Sequence, residues 1–277
     1  MSTLLKVAMY QQDICWNNPK ANWEMVERAF DGLQTPVDLL VVPETFNTGF
    51  GDSMRDMAEP PMGATYEFAK RMAQRFDALF IGTWPVRTET GNGAVANRLH
   101  WVYPDGSYGY YDKAHTFRMS SEASQLVRGT QRKVFEWRGW RIKPAVCYDL
   151  RFPKWLRNSI RNTGNNVPLS IENVDNISLN YDLMVVCANW PASRHEAWTT
   201  LLRARAIENL SYVVGVNRVG TDGADIPYTG DSRAVDFRGL DVATCTPGND
   251  TVAVAVLDKE ALAAFRRHWP FYLDFDV

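Results

Sequence analysis

The feature that most restricts this chain is a set of short apolar runs, each cut off by a turn or a proline. They fall at residues 4–11, 37–43, 78–84, 181–188 and 212–217. A strand with one wet face alternates apolar and polar residues, whereas a nearly continuous run has no wet face to spare. These runs predict central strands covered on both sides. The cover is also written in the sequence. Residues 20–33 place Trp23, Val26, Ala29, Phe30 and Leu33 at helical spacing, after the start signal Asn17-Asn18-Pro19. Residues 64–76, 194–209 and 259–267 carry similar periodicity. Strand pairs follow at 94–103 with 108–113 and at 134–137 with 140–142, and late strands at 233–237 and 251–257. The two halves repeat this order of elements without repeating residues. The order predicts an α/β fold of four layers, α-β-β-α, with two sheets inside and helices outside.

Length and charge narrow the class. The chain has 277 residues, enough for one domain over 1–277 with a large core. The polar, asparagine-rich stretch 162–180 reads as a surface insertion, because apolar pattern resumes directly after it. A net charge of −2 gives no footprint for nucleic acid. Cysteines 15, 147, 187 and 245 are scattered, with no CxxC pair, which argues against a zinc site or a disulfide scaffold. No run is long enough to span a membrane, and Met1 to Lys6 lack the features of a signal peptide. A cytoplasmic protein is expected.

Three reactive residues stand at strand ends. Glu44 follows Pro43 at the end of the second run. Lys113 ends the aromatic strand Tyr108-Gly109-Tyr110-Tyr111-Asp112. Cys147 ends Trp140 to Val146 and opens the turn Tyr148-Asp149-Leu150-Arg151-Phe152-Pro153. Each has an ordinary reading: a helix cap, a surface charge, a small core cysteine. Read together, they predict convergence at one sheet edge, where open α/β folds place their chemistry. A thiol at the start of a helix is favoured as thiolate. The carboxylate can take its proton, and an ammonium with the Tyr148 backbone N–H can stabilise an oxyanion. Such a mechanism needs no metal or cofactor.

Leu40-Val41-Val42-Pro43-Glu44, Tyr111-Asp112-Lys113-Ala114-His115-Thr116-Phe117 with Glu122, Cys147 to Pro153, Ala204-Arg205-Ala206-Ile207-Glu208-Asn209 and Gly230-Asp231-Ser232 occur in this order along nearly the whole chain. In them the sequence resembles the nitrilase, or carbon–nitrogen hydrolase, superfamily. The resemblance implies an αββα sandwich, a Glu44–Lys113–Cys147 triad supported by Glu122, and a homodimer or higher homo-oligomer. Asn189-Trp190-Pro191, Asn217-Arg218-Val219-Gly220 and Tyr228 to Ser232 are similar to the omega-amidase branch. That branch implies hydrolysis of the terminal amide of short 2-oxo dicarboxylic acid monoamides such as 2-oxoglutaramate. Other readings are another amidase of the superfamily, acting on N-carbamoyl amino acids or deaminated glutathione, or an inactive binding module. An anionic substrate needs a cation beyond Lys113, and Arg151, one turn past Cys147, is the expected ligand unless it pairs with Asp149 or Glu208. Tyr148, Phe117, Asn189 and Trp190 are the expected pocket wall.

Overall fold

The computed structural model describes residues 3–89, 93–161 and 170–275. The first half runs β1 (Leu4–Gln11), α1 (Pro19–Asp31), β2 (Leu39–Val41), α2 (Ala64–Phe76), β3 (Leu79–Arg87), β4 (Val95–Val102) and β5 (Tyr108–Asp112). After the short α3 (Glu122–Gln125) come β6 (Phe135–Trp137), β7 (Trp140–Val146), α4 (Pro153–Leu156), β8 (Leu183–Ala188), α5 (His195–Asn209) and β9 (Tyr212–Asn217). The chain closes with β10 (Val219–Thr221), β11 (Pro227–Thr229), β12 (Arg233–Val235), β13 (Asp241–Thr244), β14 (Thr251–Asp258) and α6 (Lys259–His268).

Two six-stranded sheets result, ordered β14-β1-β2-β3-β4-β5 and β13-β12-β9-β8-β7-β6. Each has a parallel centre, β1-β2-β3 or β7-β8-β9, flanked by antiparallel strands. The centres explain the continuous apolar runs. Leu5, Val7 and Met9 of β1 join Leu183, Val185 and Cys187 of β8 in a core shared by both sheets. The alternate residues of the same strands face outward. Ala8 and Tyr10 pack with Val26 and Phe30 of α1, and Met184, Val186 and Ala188 pack with Trp198 and Leu202 of α5. Burial on both faces leaves no room for a polar alternation. The expected α-β-β-α layering is what these cores describe. Among the described residues no helix is long and apolar enough to cross a membrane.

The structure departs from the sequence reading in two places, the stretch 220–232 and the insertion 162–180. Glycines and aspartates make Gly220 to Ser232 read as a loop, but β10 and β11 form a hairpin there, closed by Asp222, whose carboxylate accepts from the Ala224 and Ile226 N–H groups at 2.8 and 3.0 Å. A turn nucleated by one aspartate between three-residue strands leaves no period to read. The helix that the sequence starts after Pro153 and then interrupts lasts one turn, in line with that reading. Asn158 captures the chain beyond it, donating to Tyr181 O and Asn209 O and taking the Asn209 carbonyl of the side chain on its own N–H. Of the proposed insertion 162–180, residues 162–169 lie outside the described residues. The remainder is not all surface. Ile171 is exposed, but Leu179 is buried with Leu210 and Tyr272 and bridges Ile160.

Candidate active site

Glu44, Lys113 and Cys147 do come together, but not at one sheet edge. Glu44 follows β2 and Lys113 follows β5 in the first sheet, whereas Cys147 follows β7 in the second. The site therefore lies where the C-terminal ends of strands from both sheets meet. This corrects the single-edge expectation: convergence comes from stacking the sheets, which no local pattern announces.

Lys113 is fully buried, not a surface charge. Its Nζ donates to Glu44 Oε1 at 2.9 Å and to Glu122 Oε1 and Oε2 at 3.0 and 2.9 Å. Asn97 of β4 bridges the same carboxylates, donating from Nδ2 to Glu44 Oε1 at 2.8 Å and to Glu122 Oε1 at 3.1 Å. The second Glu44 oxygen accepts the Asn189 N–H at 2.8 Å, and Glu122 Oε2 accepts the Phe117 N–H at 2.6 Å. Carboxylates can only accept, so each donor fixes an oxygen in place. Burial pushes the Glu44 carboxyl above the ordinary range; the Lys113 ammonium opposes this and Glu122 adds to it. Burial works against the charged form of Lys113, but Glu122 and Glu44 outweigh it, so the ammonium is held well past the ordinary lysine range.

Cys147 stands at φ +41, in the left-handed region that a β-bearing residue avoids. Its strained turn turns a strand directly into a 3-10 segment, Cys147–Arg151, and presents the side chain at the corner. What holds the turn is Asp149. Its Oδ2 accepts from the Val146 N–H at 3.1 Å and the Tyr111 hydroxyl at 2.8 Å. Its Oδ1 accepts the His115 N–H at 3.0 Å and lies 2.7 Å from the His115 ring nitrogen Nδ1. The Cys147 turn is thus tied to the segment that carries Lys113. The surroundings of the thiol oppose the thiolate that a helix start favours. Burial and the adjacent Glu44 carboxylate push it up, and Lys113 only partly offsets them. Five residues of 3-10 helix supply too little dipole to compete. Cys147 Sγ lies 3.6 Å from the Asn189 carbonyl and within reach of Glu44.

The thiol and the ammonium line one cavity of about 450 Å³. Phe117, Tyr148, Arg151, Asn189 and Trp190, all expected from sequence, line it too. Phe117 and Tyr148 meet edge to face at 5.2 Å, and the Arg151 guanidinium lies 4.8 Å from the Trp190 ring centre. Arg151 takes neither expected partner. Asp149 is engaged as above and Glu208 pairs with Arg205 at 2.9 Å. Among the described residues no hydrogen bond or ion pair joins Arg151 to another side chain. Sequence reasoning missed Asn97, Arg194, Trp16 and Phe50. A lone asparagine in the apolar run 94–103 was the available sign of the first. Trp16 and Phe50 sit in loops and carry no period, and Arg194 stands at the head of α5, where helical periodicity marks the element and not a role in the cavity. Among the described residues no cluster of His, Cys, Asp and Glu side chains is arranged to hold a metal ion.

A family model described as carbon-nitrogen hydrolase matches residues 6–267. The omega-amidase YafV of Yersinia enterocolitica is 41% identical over 276 residues, spanning 100% of this chain and 98% of that protein. The 2-oxoglutaramate amidase of Bacillus subtilis strain 168 is 26% identical over 271 residues, 97% of this chain and 96% of that protein. Among solved structures, XC1258 from Xanthomonas campestris superposes with a TM-score of 0.91 at 39% identity, covering 100% of this chain and 98% of that one. It is described as a CN-hydrolase superfamily protein with an arsenic adduct in the active site.

Proposed function

The chain belongs to the carbon–nitrogen hydrolase family, and from that premise we propose that it is an omega-amidase, cleaving the terminal amide of a short 2-oxo dicarboxylic acid monoamide. The observation that carries the reading is that Lys113, held by the buried Glu44 and Glu122 carboxylates, lines one cavity with the Cys147 thiol. The relatives named for this activity, at 41% and 26% identity over nearly full length, support the choice of substrate. The arsenic adduct in the similar structure supports a reactive thiol, since trivalent arsenic is thiophilic.

In this reading Glu44 takes the Cys147 proton as the sulfur attacks the amide carbon. The developing oxyanion is met by the Lys113 ammonium and the Tyr148 backbone N–H. Glu44 returns the proton to the departing nitrogen, the C–N bond breaks, and ammonia leaves. A water, deprotonated by Glu44, then attacks the thioester, and the acid departs as Cys147 regains its proton. Glu122 and Asn97 hold the Glu44 and Lys113 groups. Arg151 grips the distal carboxylate and sets its distance from the thiol.

Ammonia release from a panel of amides tests the reading. The five-carbon 2-oxo acid amide is expected to be the best substrate, and Cys147→Ala to abolish its turnover. Arg151→Met is expected to lower kcat/KM on the acid amide alone, by roughly 1.5–3 kcal/mol for a lost charged hydrogen bond, and to spare a neutral amide of equal length. Activity surviving Cys147→Ala would refute the thiol mechanism, and equal losses on both amides would remove Arg151 from substrate binding. A cytoplasmic homodimer is part of the same proposal. Light scattering of the purified protein checks the oligomeric state.

A further inference from the structure

One wall of the cavity has no assigned purpose. Trp16 lies in the loop between β1 and α1, half-buried, and lines the cavity with Cys147 and Arg151. Its backbone is pinned on both sides. The Asn17 N–H donates to Thr48 O at 2.9 Å. The Asn22 side chain accepts from the Cys15 N–H at 2.8 Å and donates to the Cys15 and Asn47 carbonyls, each at 2.8 Å.

The ring itself is enclosed by three glycines from two separate loops. A Cβ on Gly49 would lie 2.7 Å from Cε3 of the indole, one on Gly51 2.6 Å from Cη2, and one on Gly223 2.4 Å from Cε2. Real Cβ atoms do not come so close to a neighbour. Gly49 has φ +82 and suits glycine on backbone grounds alone. Gly51 and Gly223 do not lie in the left-handed region. At these two positions the three atoms nearest a Cβ all belong to the indole. The loop after β2 and the turn between β10 and β11 therefore both approach to backbone contact with one ring. These close approaches back the ring on the side of the two loops. Its neighbours in the wall differ. Met119 is 71% exposed, and Arg151 rests on another side chain, the Trp190 ring.

We propose that Trp16 is a specificity-determining residue: a fixed stop that sets the greatest length of substrate the cavity accepts between the thiol and its far wall. The proposal rests on the amidase reading for its substrate and adds the length limit. A rigid wall penalises an extra methylene because neither protein nor ligand can yield, and one methylene in an apolar pocket is worth about 10–200-fold in kcat/KM.

The test measures kcat/KM along two series, 2-oxo dicarboxylic monoamides of four to seven carbons and unbranched aliphatic amides of the same lengths. Trp16→Ala should raise the ratio of the six-carbon to the five-carbon substrate about tenfold or more in whichever series the enzyme turns over. Gly51→Ala should act in the opposite sense, because the new methyl pushes the ring into the cavity, and should favour the four-carbon substrate. Trp16→Phe, a smaller ring in the same slot, serves if the alanine variant does not fold, and should shift the ratio upward by less. An equal fall on all lengths, or a ratio changed less than about twofold in the folded variants, would overturn the proposal. Failure of the wild type on every 2-oxo acid amide would overturn the substrate reading instead, and the aliphatic series would still report the length limit.

Discussion

Glu44 carries two duties whose physical requirements conflict. A general base must be ionised at working pH, and burial resists that ionisation. The Lys113 ammonium and the Asn97 and Asn189 donors keep the carboxylate available while burial holds its affinity for protons high. That is the condition for taking a proton from a thiol pushed upward by the same burial. Glu44→Gln keeps the shape and the Lys113 contact on the side-chain oxygen but removes the base. It should slow acylation by about two to four orders of magnitude, and because the new amide nitrogen meets the Asn189 N–H it should also cost roughly 1–3 kcal/mol of stability. Mass spectrometry of quenched wild type should find the acyl group on Cys147, and an adduct on Cys15, Cys187 or Cys245 would contradict the assignment. The acid limb of kcat/KM should inflect above the ordinary glutamate value of about 4.3. At this scale Glu44, Lys113 and Cys147 were legible because each follows a strand readable in the sequence, whereas Glu122 came only from the family resemblance. Asn97 was not legible, since its role depends on which two carboxylates the folded sheet brings to its amide.

At the scale of elements, the site depends on two strand ends from different sheets keeping a fixed separation. Asp149 is the tie, joining the β7 turn to Tyr111 of β5 and to His115 beyond it. Trp155 of α4 reinforces it by donating to the Tyr111 hydroxyl at 2.9 Å, and the His115 ring stacks on Phe152 at 3.8 Å. Asp149→Asn replaces one acceptor oxygen with a donor that faces other donors. It should cost roughly 2–4 kcal/mol of stability and relax the φ of Cys147. Alkylation of Cys147 by iodoacetamide should therefore change in rate together with kcat. Unaltered alkylation and unaltered melting would show that the turn is held by its own backbone. The elements with a periodic pattern were readable in advance: α1 begins at the predicted cap, with Asn18 accepting the Ala21 N–H at 3.2 Å, and the hairpin at Arg138-Gly139 turns where expected. The β10–β11 hairpin was not readable, because a single aspartate holds it where apolar residues would have left a period.

At the scale of the whole molecule, four layers bury ionisable groups of opposite tendency, and their sum sets the acid stability. His100 of β4 is fully buried with its ring stacked on Trp84 at 3.8 Å. Burial, and next the Arg98 guanidinium, push its pKa well below the ordinary value. The unfolded chain takes up that proton near pH 6.5 and the folded chain does not. His100 therefore leaves stability unimpaired above about pH 6.5 and removes it progressively as pH falls below that value, by at most about 1.4 kcal/mol per pH unit. Asp182 acts lower down. Burial raises its carboxyl, but Arg266, Arg141 and Lys259 outweigh that, so its contribution is present above about pH 3.9 and lost as pH falls through the folded value. Glu44 runs the other way, because a raised carboxyl binds its proton more readily in the folded state. Comparing wild type with His100→Phe cancels the two carboxylates and isolates the imidazole. Phenylalanine preserves the stack on Trp84 and cannot be protonated. Urea unfolding between pH 7.5 and 5.0 should show the wild type losing stability more steeply than the variant, with the difference opening only below about pH 6.5. Parallel curves over that range would mean that His100 becomes protonated within the fold at no cost, and that the acid sensitivity of the molecule lies elsewhere.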